Sequence, residues 1–134
     1  LRSTKATSYF PFSNSFSADD ELSVLESFKM ILSLKDYEVE TFEDGNEVLK
    51  DFKPGKYDVG FVDIYMPKLN GLELLKILKE KDPKIEVAVV TAYADEQSHA
   101  TAINLNALEY LRKPFLMEEI YELVERGLNK RAQK

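Results

Sequence analysis

From residue 20 to residue 128, short apolar runs alternate with segments of helical period, and the turns between them are brief. Leu22, Leu25, Phe28 and Leu32 recur at the spacing of one helix face, so 20–34 reads as an amphipathic helix. Residues 37–42 alternate and read as a half-buried strand. The turn at Asp44, Gly45 and Asn46 leads into a short helix ending near Phe52. Residues 57–62 form a mostly apolar run, as an inner parallel strand should. Leu72, Leu75 and Leu78 mark a third helix, and 85–90 is a further apolar strand. A helix over 94–105 stops at Asn106, a residue that tolerates a left-handed backbone. A short strand at 108–111 and an amphipathic helix at 116–128 close the pattern. Alternation of this kind predicts βαβ units, a parallel sheet and helices on both of its faces. Right-handed crossovers leave few topologies.

The first eighteen residues fit this scheme poorly. The alternation requires a strand before the helix at 20, and only 10–18 can supply it. Phe10, Phe12, Phe16 and Ala18 would line one face, but Pro11, Ser13, Ser15 and Ser17 fall on the other, and Asn14 interrupts the run. A strand buried on both sides should not read this way. Segment 1–18 is therefore set apart as atypical, a degraded first strand or foreign sequence. The regular domain spans 19–128, and 129–134 reads as a tail or the start of a linker.

Composition removes several function classes. The 134 residues suit one domain, and a hydrophobic content of 44% can build a core. A net charge of −6 with no basic run argues against direct binding of nucleic acid or an anionic membrane. No apolar stretch approaches the roughly 20 residues of a membrane span. The lack of cysteine removes disulfides, thiolate metal sites and cysteine nucleophiles, and fits a reducing cytoplasm. The chain opens on Leu1 rather than Met, as a piece of a longer protein would.

Ligands of open parallel sheets bind at the carboxyl ends of the strands. Asp19 and Asp20 follow the first strand, Asp63 ends the third, Thr91 the fourth, and Lys113 follows the fifth. Singly each has an ordinary reading: a helix cap, a loop acid, a strand end, a solvated lysine. Together they put three carboxylates, a hydroxyl and an ammonium on one edge. Clustered carboxylates repel, so they must hold a cation or protonate. Mg²⁺ suits such oxygens and keeps positions open for phosphate. A carboxylate can also serve as a nucleophile that forms an acyl phosphate. That reaction needs mainly alignment and charge neutralisation.

Four blocks resemble those of bacterial two-component response-regulator receiver domains. They are Asp-Asp-Glu at 19–21, Val-Asp-Ile-Tyr-Met-Pro-Lys-Leu-Asn-Gly at 62–71, Val-Val-Thr-Ala-Tyr at 89–93 and Tyr-Leu-Arg-Lys-Pro-Phe at 110–115. The resemblance implies a flavodoxin-like, doubly wound sheet of five parallel strands in order 2-1-3-4-5. It implies a phosphoacceptor signalling switch rather than an enzyme. Asp63 would accept a phosphoryl group from a histidine kinase or phosphotransfer protein. Asp19, Asp20, Asp63 and the backbone carbonyl of Tyr65 would hold Mg²⁺. Lys113 and Thr91 would contact the phosphoryl group, Ala92 would leave it room, and Thr91 with Tyr110 would form the switch. Lys113-Pro114 resembles the family's cis peptide.

The resemblance further implies control of an output domain or partner in the cytoplasm, and a homodimer when phosphorylated. Bulky Tyr65 and Tyr93 would shield the acyl phosphate and affect its lifetime. His99, the sole histidine, reads as a surface residue. Two rival readings stay open: a degenerate receiver that binds a partner without phosphorylation, and a small redox protein of the same architecture. The second would want a phosphate cradle where Ala18-Asp19-Asp20-Glu21 stands. Upstream kinase and output target carry no signal.

Overall fold

A computed structural model describes residues 13–134. The part of the expected first strand that falls on 10–12 lies outside them. Strands and helices alternate throughout: β1 (Asn14–Ala18), α1 (Leu22–Ser33), β2 (Glu38–Phe42), α2 (Gly45–Asp51), β3 (Val59–Asp63), α3 (Gly71–Lys81), β4 (Glu86–Thr91), α4 (Glu96–Asn104), β5 (Glu109–Arg112) and α5 (Met117–Ala132). All strand pairs are parallel, in the order β2-β1-β3-β4-β5. The doubly wound arrangement is therefore the one expected.

Side chains alternate across each strand and feed two apolar layers. On one face Phe16, Val62, Val87 and Val89 pack with Leu74, Leu75 and Leu78 of α3. On the other, Phe61, Ala88 and Val90 pack with Phe28 and Leu32 of α1 and Ile120, Leu123 and Val124 of α5. Leu74, Leu75 and Leu78 are wholly buried, and each such side chain contributes about 1.5–3 kcal/mol. Short polar side chains fix where helices begin. Asp44 accepts from the Glu47 amide at 2.9 Å, and Asn70 forms a reciprocal capping box with Glu73.

The serine-rich segment does form an inner strand. It is in register with Glu38–Phe42 on one side and with Val59, Gly60, Phe61 and Val62 on the other. Its backbone hydrogen bonds are thus satisfied whatever its side chains. Gly60 makes the strand possible, because a Cβ there would sit 2.2 Å from the Phe16 ring. Ser13, Ser15 and Ser17 are buried all the same, and their hydroxyls have no hydrogen-bond partner. The closing helix runs to Ala132, beyond the expected end at 128, and Asn106 takes the expected left-handed φ of 63°.

Candidate acidic site at the carboxyl edge of the sheet

Parallel register sets the site. β1 ends at Ala18, and the Asp19 amide bonds to the Phe42 carbonyl at 3.1 Å, which carries the acidic pair to the carboxyl edge. β3 ends on Asp63 itself. Gly71 lets α3 start against that residue, since a Cβ there would lie 2.3 Å from the Asp63 carbonyl oxygen. The Lys113 amide donates to the Thr91 carbonyl at 2.8 Å, so the loop after β5 stays beside the end of β4.

The carboxylates of Asp19, Asp20 and Asp63 converge, with one oxygen from each within 4.8 Å of the others. Asp19 and Asp63 are buried and Asp20 is exposed. The Lys113 ammonium, 12% exposed, lies 2.8 Å from Asp19, 3.3 Å from Glu21 and 3.6 Å from Asp63. One ammonium does not balance this set. Burial pushes the Asp63 carboxyl up to about 6, the Asp19 charge adds to it, and Lys113 opposes both. Burial likewise raises Asp19, against its hydrogen bonds from Lys113 and the Glu21 amide. Burial pulls the Lys113 ammonium down, but the Asp19 hydrogen bond and the neighbouring carboxylates prevail and hold it above the ordinary lysine value.

Thr91 is wholly buried at the end of β4, and its Oγ1 accepts from the Tyr93 amide at 3.0 Å. Tyr110 is half-buried, and its hydroxyl reaches the start of α4 rather than the carboxylates. Ala92 is exposed. Tyr65 and Tyr93 are 47% and 73% exposed and meet edge to face at 5.9 Å, a partly open pair rather than a closed cover. Lys113-Pro114 is cis. His99 is exposed, and it stacks on Tyr110 at 4.6 Å. Two contacts had no sequence signal beyond proximity to a motif: the Glu21 carboxylate at Lys113, and the Asp95 side chain accepting from Tyr65 at 3.1 Å.

A doubly wound parallel sheet with three carboxylates and a lysine at its carboxyl edge defines an α/β domain with an acidic pocket. The response regulator receiver domain pattern matches residues 16–125, and the chain belongs to that family, the receivers of two-component systems. It is 37% identical over 111 residues to the DNA-binding transcriptional regulator NtrC of Salmonella typhimurium. That match covers 83% of this chain and 24% of the regulator, so the chain spans about a quarter of the relative's length. Among solved structures it is similar to a CheY-like receiver domain protein of Methanospirillum hungatei, with TM-score 0.86, 26% identity, and 91% and 98% of the two chains covered. It is also similar to the beryllofluoride-activated NtrC4 receiver domain dimer, with TM-score 0.83, 27% identity, and 88% and 98% covered. Among the described residues, no helix is long and apolar enough to cross a membrane.

Proposed function

We propose that this chain is a working phosphoacceptor switch, with Asp63 as the residue phosphorylated. The observation that carries the reading is the convergence of Asp19, Asp20 and Asp63 with one ammonium beside two of them, the Asp63 carboxyl being raised to about 6 by burial and the Asp19 charge despite Lys113. Such a set calls for a further cation. The donors are hard carboxylate oxygens, which fit Mg²⁺. Asp19, Asp20 and Asp63, with the backbone carbonyl of Tyr65, would hold it. When bound, the metal supplies positive charge that neutralises the carboxylates and the incoming phosphoryl oxygens.

The chain's own groups do the rest. A carboxylate oxygen of Asp63 attacks the phosphorus of a phosphohistidine on a histidine kinase or phosphotransfer protein. The new O–P bond forms as the P–N bond breaks, and the electron pair leaves with the imidazole. Lys113 turns from Asp19 and Glu21 toward the new phosphoryl oxygens. Thr91 gives up the Tyr93 amide and donates its hydroxyl to the same group. Tyr110 then moves into the space that Thr91 leaves. This is a shift between two states, driven only as far as the phosphoryl contacts differ between them.

The same reading puts the exchange in the cytoplasm and makes the surface of β5 and its flanking helices the output. That surface would control a partner or an attached effector domain, and would pair two phosphorylated copies. The NtrC4 receiver similar to this chain is described as a beryllofluoride-activated dimer.

The test is treatment of the purified protein with acetyl phosphate, or beryllofluoride, and Mg²⁺. Wild-type protein should gain a phosphoryl group on Asp63 by mass spectrometry, and Asp63→Asn should not. Identical responses would overturn the reading.

A further inference from the structure

Two tyrosine hydroxyls from distant parts of the chain end on a single turn. Asp95 caps α4: one carboxylate oxygen accepts from the Ser98 amide at 2.8 Å. Its other oxygen accepts from the Tyr65 hydroxyl at 3.1 Å. The Asp95 amide donates to the Tyr110 hydroxyl at 3.1 Å, and the Tyr110 and Ser98 hydroxyls lie 2.6 Å apart. His99, one residue on, stacks against the Tyr110 ring with 24° between planes. The segment from Tyr93 to His99 thus touches Thr91, Tyr110 and the loop that follows Asp63.

The residue type at 95 matters here. Serine, threonine or asparagine would cap the helix about as well as aspartate. A carboxylate offers two acceptor oxygens, and its fork lets one residue serve the helix and Tyr65 together. A hydrogen bond to a charged group is also stronger than one between neutral groups.

We infer that Asp95 is a positioning residue, a latch that ties the loop after the phosphoacceptor to the first turn of α4 beside Tyr110, and so holds the resting arrangement. The inference rests on the phosphoacceptor reading and adds a restraint to it. Tyr110 cannot move toward Thr91 without leaving Ser98 and the Asp95 amide. The loop carrying Tyr65 cannot shift without pulling on the cap. A restraint on the resting state lowers the fraction of molecules ready for the phosphoryl group, and apparent affinity falls by that fraction.

The experiment compares wild type, Tyr65→Phe, Asp95→Ser and the double variant in the full chain. Serine keeps the cap but is too short to reach Tyr65. Amide hydrogen exchange over α4, residues 96–104, is measured without ligand, and beryllofluoride affinity is measured with Mg²⁺. Each single variant should speed exchange in the first turn about 5-fold and tighten beryllofluoride about 3-fold. The double variant should match either single, because both break the same bond. Exchange and affinity both within 2-fold of wild type, or effects that add, would overturn the latch. Faster exchange without tighter binding would also overturn it, since that marks a lost cap and no more. If wild type binds no beryllofluoride, the phosphoacceptor reading falls and the latch on it falls too, while exchange in the double variant equal to that in either single still shows that Tyr65 and Asp95 act through one bond.

Discussion

The two edges of the sheet use the same residue types and balance them in opposite ways. At the edge where the strands begin, Glu86 is 1% exposed, yet Lys79, Lys130 and Lys134 all pair with it. Arg131 joins them, 3.0 Å from Asp58 and 3.7 Å from Asp82. Four cations meet three acids there. At the edge where the strands end, Asp19, Glu21 and Asp63 share Lys113 alone among the ion pairs of the described residues, with the Asp20 carboxylate close to two of them. The first arrangement fastens the end of α5 to the starts of β3 and β4. The second is left short of positive charge, and the cation and phosphoryl group proposed above would meet that shortage.

Glu86→Gln tests the matched edge and carries the largest effect on stability. It keeps the shape and removes the charge that three lysines face. Breaking a buried pair is costly, and partial exposure of the lysines reduces the figure, so a loss of about 3 kcal/mol in urea unfolding is expected. Phosphoryl uptake on Asp63 should remain within about 2-fold of wild type, because no charge at the other edge changes. A large loss of uptake with stability intact would mean that the edges are not separate.

Asp63→Asn should have the opposite sign. The Asp63 carboxyl sits at about 6 in the folded protein, against 3.8 for the ordinary group. The folded state therefore binds this proton more tightly than the unfolded state. Its contribution to stability is greatest at low pH and falls as pH rises from about 4 to about 6; above that window the buried charge opposes folding by on the order of 2 kcal/mol. Asp63→Asn should thus be more stable than wild type at pH 7.5, and the gain should vanish near pH 4. Asp19, raised in the same direction, leaves a residual slope in the variant. Equal stability of the two proteins at pH 7.5 would show that the carboxyl edge is already balanced.

Metal sharpens the comparison by a smaller amount. Millimolar Mg²⁺ at pH 7.5 should raise wild-type stability by about 1 kcal/mol through binding to the folded state. Glu86→Gln should gain as much as wild type, and Asp63→Asn less. Thermal unfolding with and without the metal reads all three.

These edges were not equally legible from the sequence. Asp63 and Thr91 stood out because each ends an apolar run, Lys113 because it follows the last strand, and the four blocks then suggested their roles. The matched edge gave no such signal. Lys130, Arg131 and Lys134 read as a tail or the start of a linker, and their partners at 58, 82 and 86 lie dozens of residues away. The bridge from Tyr65 to Asp95 and the approach of Glu21 to Lys113 were hidden for the same reason, since contacts between loops leave no period. β1 was obscured differently. Its fit depends on backbone pairing on both sides and on the space left by Gly60, neither of which shows in its own residues.

That strand joins the two edges and carries Asp19 to the acidic one, and its serines give the smallest prediction. Ser15 and Ser17 stand opposite Val59 and Phe61 in the register, and both of those belong to the layer under α1 and α5. Their hydroxyls face apolar neighbours without a partner. Neither charge imbalance nor charge pairing explains them. They are a cost that the fold bears between its edges. Replacing Ser17 by alanine deletes the unpaired group and leaves the strand hydrogen bonds as they are. A buried polar group without a partner costs about 1–3 kcal/mol, and the small void left behind takes back part of the gain. Ser17→Ala should therefore stabilise the protein by about 1 kcal/mol, read as a higher urea midpoint with an unchanged slope. Valine would add bulk beside Phe61 and so mix relief with crowding, which makes alanine the cleaner substitution. If Ser17→Ala destabilises, a buried water satisfies that hydroxyl, and β1 belongs with the matched parts of the molecule.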